Sequence, residues 1–340
     1  MKINSVHELD LKLSAPNSAL IADIKKLDGD IMILGLGGKM GPSLGLLALN
    51  AIREAGVNKK VIGVSRFSNK KMELDLQIAG IETIAGDLLD ENFLEQLPDC
   101  KNIIYMAGNK FGTAGNEHFT WVMNAYLPGR VAEKYKASRI VIFSSGNIYP
   151  FLPTDCQGAN EQLKPSPIGE YAQSCLGRER VFEHFSIKNQ TPMLIYRLNY
   201  AVDLRYGVLL EVAKSIFHGK PIDITTGYVN VIWQGDANRY ALRSLLHCES
   251  PAKKLNITGP EIISIERLAH TFGKIMNRQV NIIGKSAPTA LLNDASHSFE
   301  LFEKPEVELD QIIEWTAQWV MSGGEELNKP THFQEREGNF

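Results

Sequence analysis

The sequence predicts an α/β protein built on a doubly wound parallel sheet, with a smaller C-terminal substrate lobe. Three observations predict it. Short β-branched runs alternate with helix-length segments through the first two thirds of the 340 residues, the first run leads directly into a glycine-rich turn, and after about residue 200 the pattern changes to helices broken by Pro/Gly turns. Each parallel strand pair needs a crossover connection, so this alternation reads as a sheet covered by helices on both faces.

Taken in order, residues 17–28 form an amphipathic helix, with Asn17 or Ser18 as its N-cap and Gly29 as its stop. Strands follow at 31–34, 61–64, 82–85, 102–106, 139–143 and 192–196, and a helix at about 41–55. Helices at 208–219, 237–248 and 264–276 make the second lobe, with some of its strands returning to the sheet. The resulting division is an N-terminal helical extension (1–29), a dinucleotide-type domain (30–200), a mainly substrate-binding lobe (201–321) and a polar tail (322–340) that lacks helical periodicity.

Composition narrows the function classes. Hydrophobic residues make up 44% of the chain, ample for a core, and the net charge of -3 lacks the basic footprint of a nucleic-acid binder. No apolar run approaches the length of a membrane span and the start carries no leader-type pattern, so a cytoplasmic enzyme without membrane attachment is expected. Cys100, Cys156, Cys175 and Cys248 have no metal-ligand or disulfide spacing and read as reduced thiols; the histidines do not cluster, so no metal is assigned.

The turn after the first strand carries Gly35, Gly38 and Gly41 at G-x-x-G-x-x-G spacing, with Gly37, Lys39 and Met40 completing it. A strand, a glycine turn and a helix N-terminus in that order form a Rossmann-type pyrophosphate cradle. The second strand ends in Ser65 and Arg66 in place of an acid, which suits a 2′-phosphate and favours NADP(H), with NAD(H) possible if Arg66 is simply solvated. Asp87, with Leu88 beside it, is placed to receive the adenine amino group or to serve as a helix cap. Ala107 and Gly108, small residues after the fourth strand, let the cofactor lie against the backbone, and Lys110 follows at the ligand-binding edge of the sheet.

These segments, together with Asn124, SSGNIYP (144–150), Tyr171, RLNYAV (197–202) and the later VNVIWQGDANRYAL and LNITGPEIISIERLA runs, resemble the extended short-chain dehydrogenase/reductase family, which includes the sugar-nucleotide epimerases and dehydratases. The resemblance runs from about Asp30 to Trp319. It implies that Tyr171 is the general acid/base, that Ser145 shares its hydrogen bond, that Asn124 belongs to the cofactor region, and that a lysine four residues after the tyrosine binds the nicotinamide ribose. That position holds Cys175. A tyrosine with a solution pKa near 10 is a poor base unless a cation stabilises its phenolate. Lys110 is the leading substitute; Arg178, two helical turns from Tyr171, and Cys175 itself are the others.

Substrate contacts are expected beyond the carboxyl ends of the strands: Asn147 and Tyr149 after the fifth, Asn199, Tyr200 and Arg205 after the sixth, and Trp233 and Gln234 from the second lobe. Tyr149 and Trp233 read equally as core aromatics, and Asp203 offers Arg205 an ordinary ion-pair partner. The expected function is an NAD(P)-dependent oxidoreductase, epimerase or dehydratase acting on a small-molecule carbohydrate. The alternative is an inactive NADP(H)-binding redox sensor or partner-binding protein. The resemblance also implies a homodimer through helices at about 117–136 and 168–186.

Overall fold

A computed structural model describes residues 3–110, 112, 115–329 and 331–338. Seven strands form the central sheet: β1 (Ile31–Leu34), β2 (Val61–Ser65), β3 (Glu82–Ala85), β4 (Asn102–Tyr105), β5 (Arg139–Ser145), β6 (Met193–Leu198) and β7 (Lys253–Ile257). Their order is β7-β6-β5-β4-β1-β2-β3, and every pairing is parallel. The seventh strand closes the sheet edge beside β6.

Side-chain alternation builds both layers of the core. Ile31 and Ile33 of β1 enter one hydrophobic cluster, while Met32 and Leu34 enter the other. Against the first face packs the helix Gly41–Ala55 through Leu44, Leu47, Ala48, Ala51 and Ile52. The predicted N-terminal helix spans Ser18–Lys26, capped by Asn17, whose side chain accepts from the Leu20 N–H. A further helix, Val6–Leu13, precedes it and buries Leu9 and Leu13 against the second lobe. That lobe is organised by helices Val208–Phe217, Ile265–Met276 and Leu309–Met321 around Trp233, Phe272, Trp315 and Trp319. Among the described residues no helix is long and apolar enough to cross a membrane.

The winding positions the site. From β1 the chain moves outward to β2 and β3, then returns across to β4 on the other side of β1. The loops after β1 and β4 therefore diverge, opening a crevice at the carboxyl ends where open α/β sheets bind ligands.

Candidate active site

The crevice begins at the glycine turn. Gly35 adopts φ +98, and a Cβ there would lie 2.8 Å from the Ala107 nitrogen, so a side chain is excluded by both conformation and space. The helix Gly41–Ala55 begins without a side-chain cap, with Pro42 in its first turn. A Cβ on Gly41 would overlap the Leu36 carbonyl, so close packing of loop on helix requires glycine there as well.

Two cavities meet across this turn and share Gly35, Gly38, Met106 and Gly108. One, about 210 Å³, is walled by Gly37, Ser65, Arg66, Asp87, Leu88 and Ala107. Asp87 uses one carboxylate oxygen to accept from Leu89 N–H at 3.0 Å, closing its own turn, and its side chain remains exposed. The other, about 270 Å³, is walled by Lys39, Met40, Lys110, Ser145, Asn147, Tyr171, Asn199 and Tyr200 among others. This paired shape, with a bare helix N-terminus between, fits a dinucleotide.

At the inner wall, β5 delivers Ser145 and the long helix Gly169–Asn189 delivers Tyr171. The Tyr171 hydroxyl is hydrogen-bonded to Ser145 and to the Cys175 thiol. Burial holds the phenol well above its usual pKa; Cys175 adds to the rise, and Arg178 and Ser145 oppose it. Burial also raises the Cys175 thiol, against Arg178, Tyr171 and Lys110. Lys110 stands with its ammonium 6.0 Å from the Tyr171 ring centroid, and burial lowers its pKa against the pull of Cys175 and Glu211.

Several expected contacts lie elsewhere. Asn124, fully buried in the π-helical turn Val122–Tyr126, accepts from Asn109 N–H (2.8 Å) and Arg178 (2.6 Å) and donates to the Asn109 carbonyl (2.8 Å) and Ser174 (3.0 Å). It anchors the loop after β4 and does not wall either cavity. Cys175 likewise sits behind Tyr171, fully buried. Arg178 donates to the Phe143 carbonyl at 2.7 Å as well as to Asn124, which ties β5 to the same loop, and it reaches the larger cavity's wall.

Four expected substrate contacts are corrected. Tyr149 is core: its hydroxyl accepts from Arg197 (2.6 Å) and donates to Asn256 (2.9 Å), and burial pushes its pKa up to about 12. Trp233 is fully buried, edge to face with Trp315. Gln234 donates to the Ser43 hydroxyl at 3.0 Å, pinning the second lobe to the helix after the glycine turn. Arg205 pairs with Asp10 (2.9 Å) and Asp203 (3.4 Å), so its charge is neutralised away from the cavity.

Other wall residues carried no sequence signal. Tyr206 comes from a loop, and Lys329 and Thr331 come from the tail. The Lys39 side chain leaves the glycine turn and crosses to the second lobe, donating to the Ala201 carbonyl at 3.0 Å with its ammonium 4.0 Å from the Tyr206 ring centroid.

The fold is that of the NAD-dependent sugar-nucleotide epimerases and dehydratases. The chain is similar to the UDP-glucuronic acid 4-epimerase of Bacillus cereus, a variant of which was solved with NAD and UDP-4-deoxy-4-fluoro-glucuronic acid: TM-score 0.72, 18% identity, 86% of this chain and 99% of that one. The dTDP-glucose 4,6-dehydratase of Streptomyces venezuelae, with NAD bound, gives 0.73 at 15% identity, covering 86% and 97%. The UDP-glucose 4-epimerase of Thermotoga maritima gives 0.69 at 15%, covering 86% and 99%. No family model matches the chain, and no curated protein matches it in sequence.

Proposed function

We propose that this chain is an NAD(P)-dependent oxidoreductase, epimerase or dehydratase acting on a sugar, sugar acid or nucleotide sugar, with Tyr171 as general acid/base. The observation that carries the reading is the meeting of two cavities at the Gly35–Gly38 turn, with the hydrogen-bonded Tyr171 and Ser145 on the wall of the larger one. Neighbours of the same fold hold NAD, UDP-4-deoxy-4-fluoro-glucuronic acid or UDP-glucose.

In this reading Gly35, Gly37, Gly38 and the backbone of Lys39 and Met40 hold the pyrophosphate, while Ala107 and Gly108 give it room. When bound, the nicotinamide supplies the hydride acceptor or donor. Ser145 orients a substrate hydroxyl, Tyr171 exchanges its proton, and Lys110 is the cation nearest to the function of the absent helix lysine. Asn147, Asn199 and Tyr200 face the substrate. Ser65 and Arg66 beside the adenosine-side cavity support a preference for NADP(H), although the solved neighbours carry NAD. Exposed Trp121, Tyr126 and Ile187 on the two helices outside β4 and β5 support a homodimer formed through them.

The test is turnover of sugars, sugar acids and nucleotide sugars by wild type and Tyr171→Phe with either cofactor. Wild type alone should react, and both should bind cofactor equally; a fully active Phe variant overturns the assignment. A catalytically inert redox sensor is the second reading, favoured by Cys175 at the lysine position. In that case nucleotide alters association with a partner and nothing turns over.

A further inference from the structure

We propose that Arg178 is the fixed cation that works through Tyr171: from the turn below Cys175 it stabilises the negative charge that develops on the Tyr171 oxygen as its proton leaves. The proposal rests on the reading of Tyr171 as general acid/base, and it names the positioning residue that makes that role possible without a lysine on the helix. Lys110 remains on the cavity wall for the cofactor.

The first argument is an unbalanced charge. Arg178 is buried, and among the described residues its hydrogen-bond partners are neutral. It donates to the Phe143 carbonyl at 2.7 Å and to the Asn124 carboxamide oxygen at 2.6 Å, while its Nε has no hydrogen-bond partner. The adjacent acid on the helix, Glu179, is engaged by Arg197 and Ser144. Burying a charge away from any opposite charge is expensive, and a neutral donor could hold the same two oxygens. The N–H groups alone therefore do not account for a guanidinium at this place.

The helix carries that charge toward Tyr171. Side chains on a helix lean toward its N-terminus, so Arg178 covers the turn that holds Ser174 and Cys175, and Tyr171 follows one turn further along the same face. Asn124 fixes the guanidinium there: it accepts from Arg178 and donates to the Ser174 hydroxyl (3.0 Å), which donates to the Tyr171 carbonyl (2.8 Å). A Cβ on Gly108 would lie 2.4 Å from a terminal nitrogen of Arg178, so glycine leaves the place that the guanidinium fills at the cavity wall.

The other groups around the phenol do not supply a lasting positive charge. From the sheet side Ser145 bonds the hydroxyl, and Tyr149, in the same apolar cluster, is a phenol held by Arg197, whose charge Glu179 cancels. The loop after β4 contributes Lys110, and Lys39, Lys329 and Tyr200 stand elsewhere on the cavity wall. Burial lowers the pKa of Lys110 and brings that of Lys39 to about 8, and it raises the Tyr200 phenol. A desolvated lysine gives up its proton as the pH rises, whereas a guanidinium keeps its charge. Burial and Cys175 raise the Tyr171 pKa, and Arg178 comes first among the groups that oppose them.

The experiment titrates residue 171 directly, in the full chain without nucleotide: 3,5-difluorotyrosine is placed there and followed by fluorine NMR against pH. Arg178→Gln, which keeps an N–H donor and drops the charge, should raise the midpoint by about one pH unit or more. Arg178→Met, which removes the N–H groups as well, should do the same and serves if Arg178→Gln does not fold. Arg178→Lys keeps the charge and should titrate near wild type. Arg178→Met combined with Cys175→Lys moves the cation one turn toward the tyrosine and should titrate below Arg178→Met combined with Cys175→Ala. A purely structural tie gives other results: neutral variants that titrate like wild type, Arg178→Lys no better than Arg178→Gln, or no effect of the relocated lysine. Any of these overturns the proposal. A fully active Tyr171→Phe enzyme, with the titrations as expected, would instead remove the parent reading.

Discussion

Glu179 and Arg197 face each other as a two-pronged ion pair, Nε to Oε1 at 3.0 Å and a terminal nitrogen to Oε2 at 2.8 Å, with both side chains excluded from solvent. Ser144 donates to the same carboxylate at 2.6 Å, and Arg197 also donates to Tyr149, whose hydroxyl donates to Asn256. One network thus joins β5, β6, β7 and the helix that carries Tyr171. Buried pairs of this kind fix geometry more than they add net stability, but removing one partner strands the other. Glu179→Ala should cost about 3–5 kcal/mol by urea unfolding, and Glu179→Met with Arg197→Met together should cost less than either single variant. A single variant within about 1 kcal/mol of wild type would show that the pair relaxes to solvent.

The state of Tyr171 predicts a pH profile. Burial and the Cys175 thiol keep the phenol protonated across the neutral range. In the proposed role of base for an oxidation it accepts a proton, so log kcat should climb with pH from about 7 to about 9 without a plateau. Cys175→Ala removes two contributions that raise the pKa and should move the climb to lower pH. Tyr171→Phe should lose at least about a hundredfold in kcat. A plateau near neutrality in wild type would mean that another group is the base.

Arg66 is exposed at the edge of the adenosine-side cavity, one residue beyond β2. A guanidinium bonded to a 2′-phosphate contributes about 1.5–3 kcal/mol, so Arg66→Ala should raise the KM for NADP about tenfold or more and leave that for NAD nearly unchanged. Equal effects on both cofactors would overturn the proposed preference for NADP.

Asn124 satisfies the Asn109 N–H and carbonyl together with Arg178. Asn124→Ala should destabilise the fold by about 1–3 kcal/mol and weaken cofactor binding through the released Met106–Lys110 loop. Calorimetric cofactor titration alongside urea unfolding separates the two effects.

The strands and the glycine turn were legible because each is local, whereas Tyr171 and Ser145 were singled out only through the resemblance. Ile31–Leu34 has the apolar continuity of a strand buried on both faces, and its glycines follow within the same short segment. Tyr149 and Arg205 were placed at the substrate because they follow strands in sequence, and Trp233 and Gln234 because they belong to the second lobe. Which way each side chain points depends on partners far along the chain: Asn256 for Tyr149, Asp10 for Arg205, Trp315 for Trp233 and Ser43 for Gln234.

The sequence by itself determined the parallel sheet and the glycine turn that follows its first strand, since periodicity and backbone permissiveness are properties of short segments. Only the tertiary structure decided that Asn124 and Arg178 brace the loop after β4, that Lys39 crosses to Ala201, and that Lys329 and Thr331 return from the tail to wall the cavity. These contacts join residues distant in sequence. Buried polar groups must find hydrogen-bond partners wherever the packed chain brings them, and no local pattern records where that is.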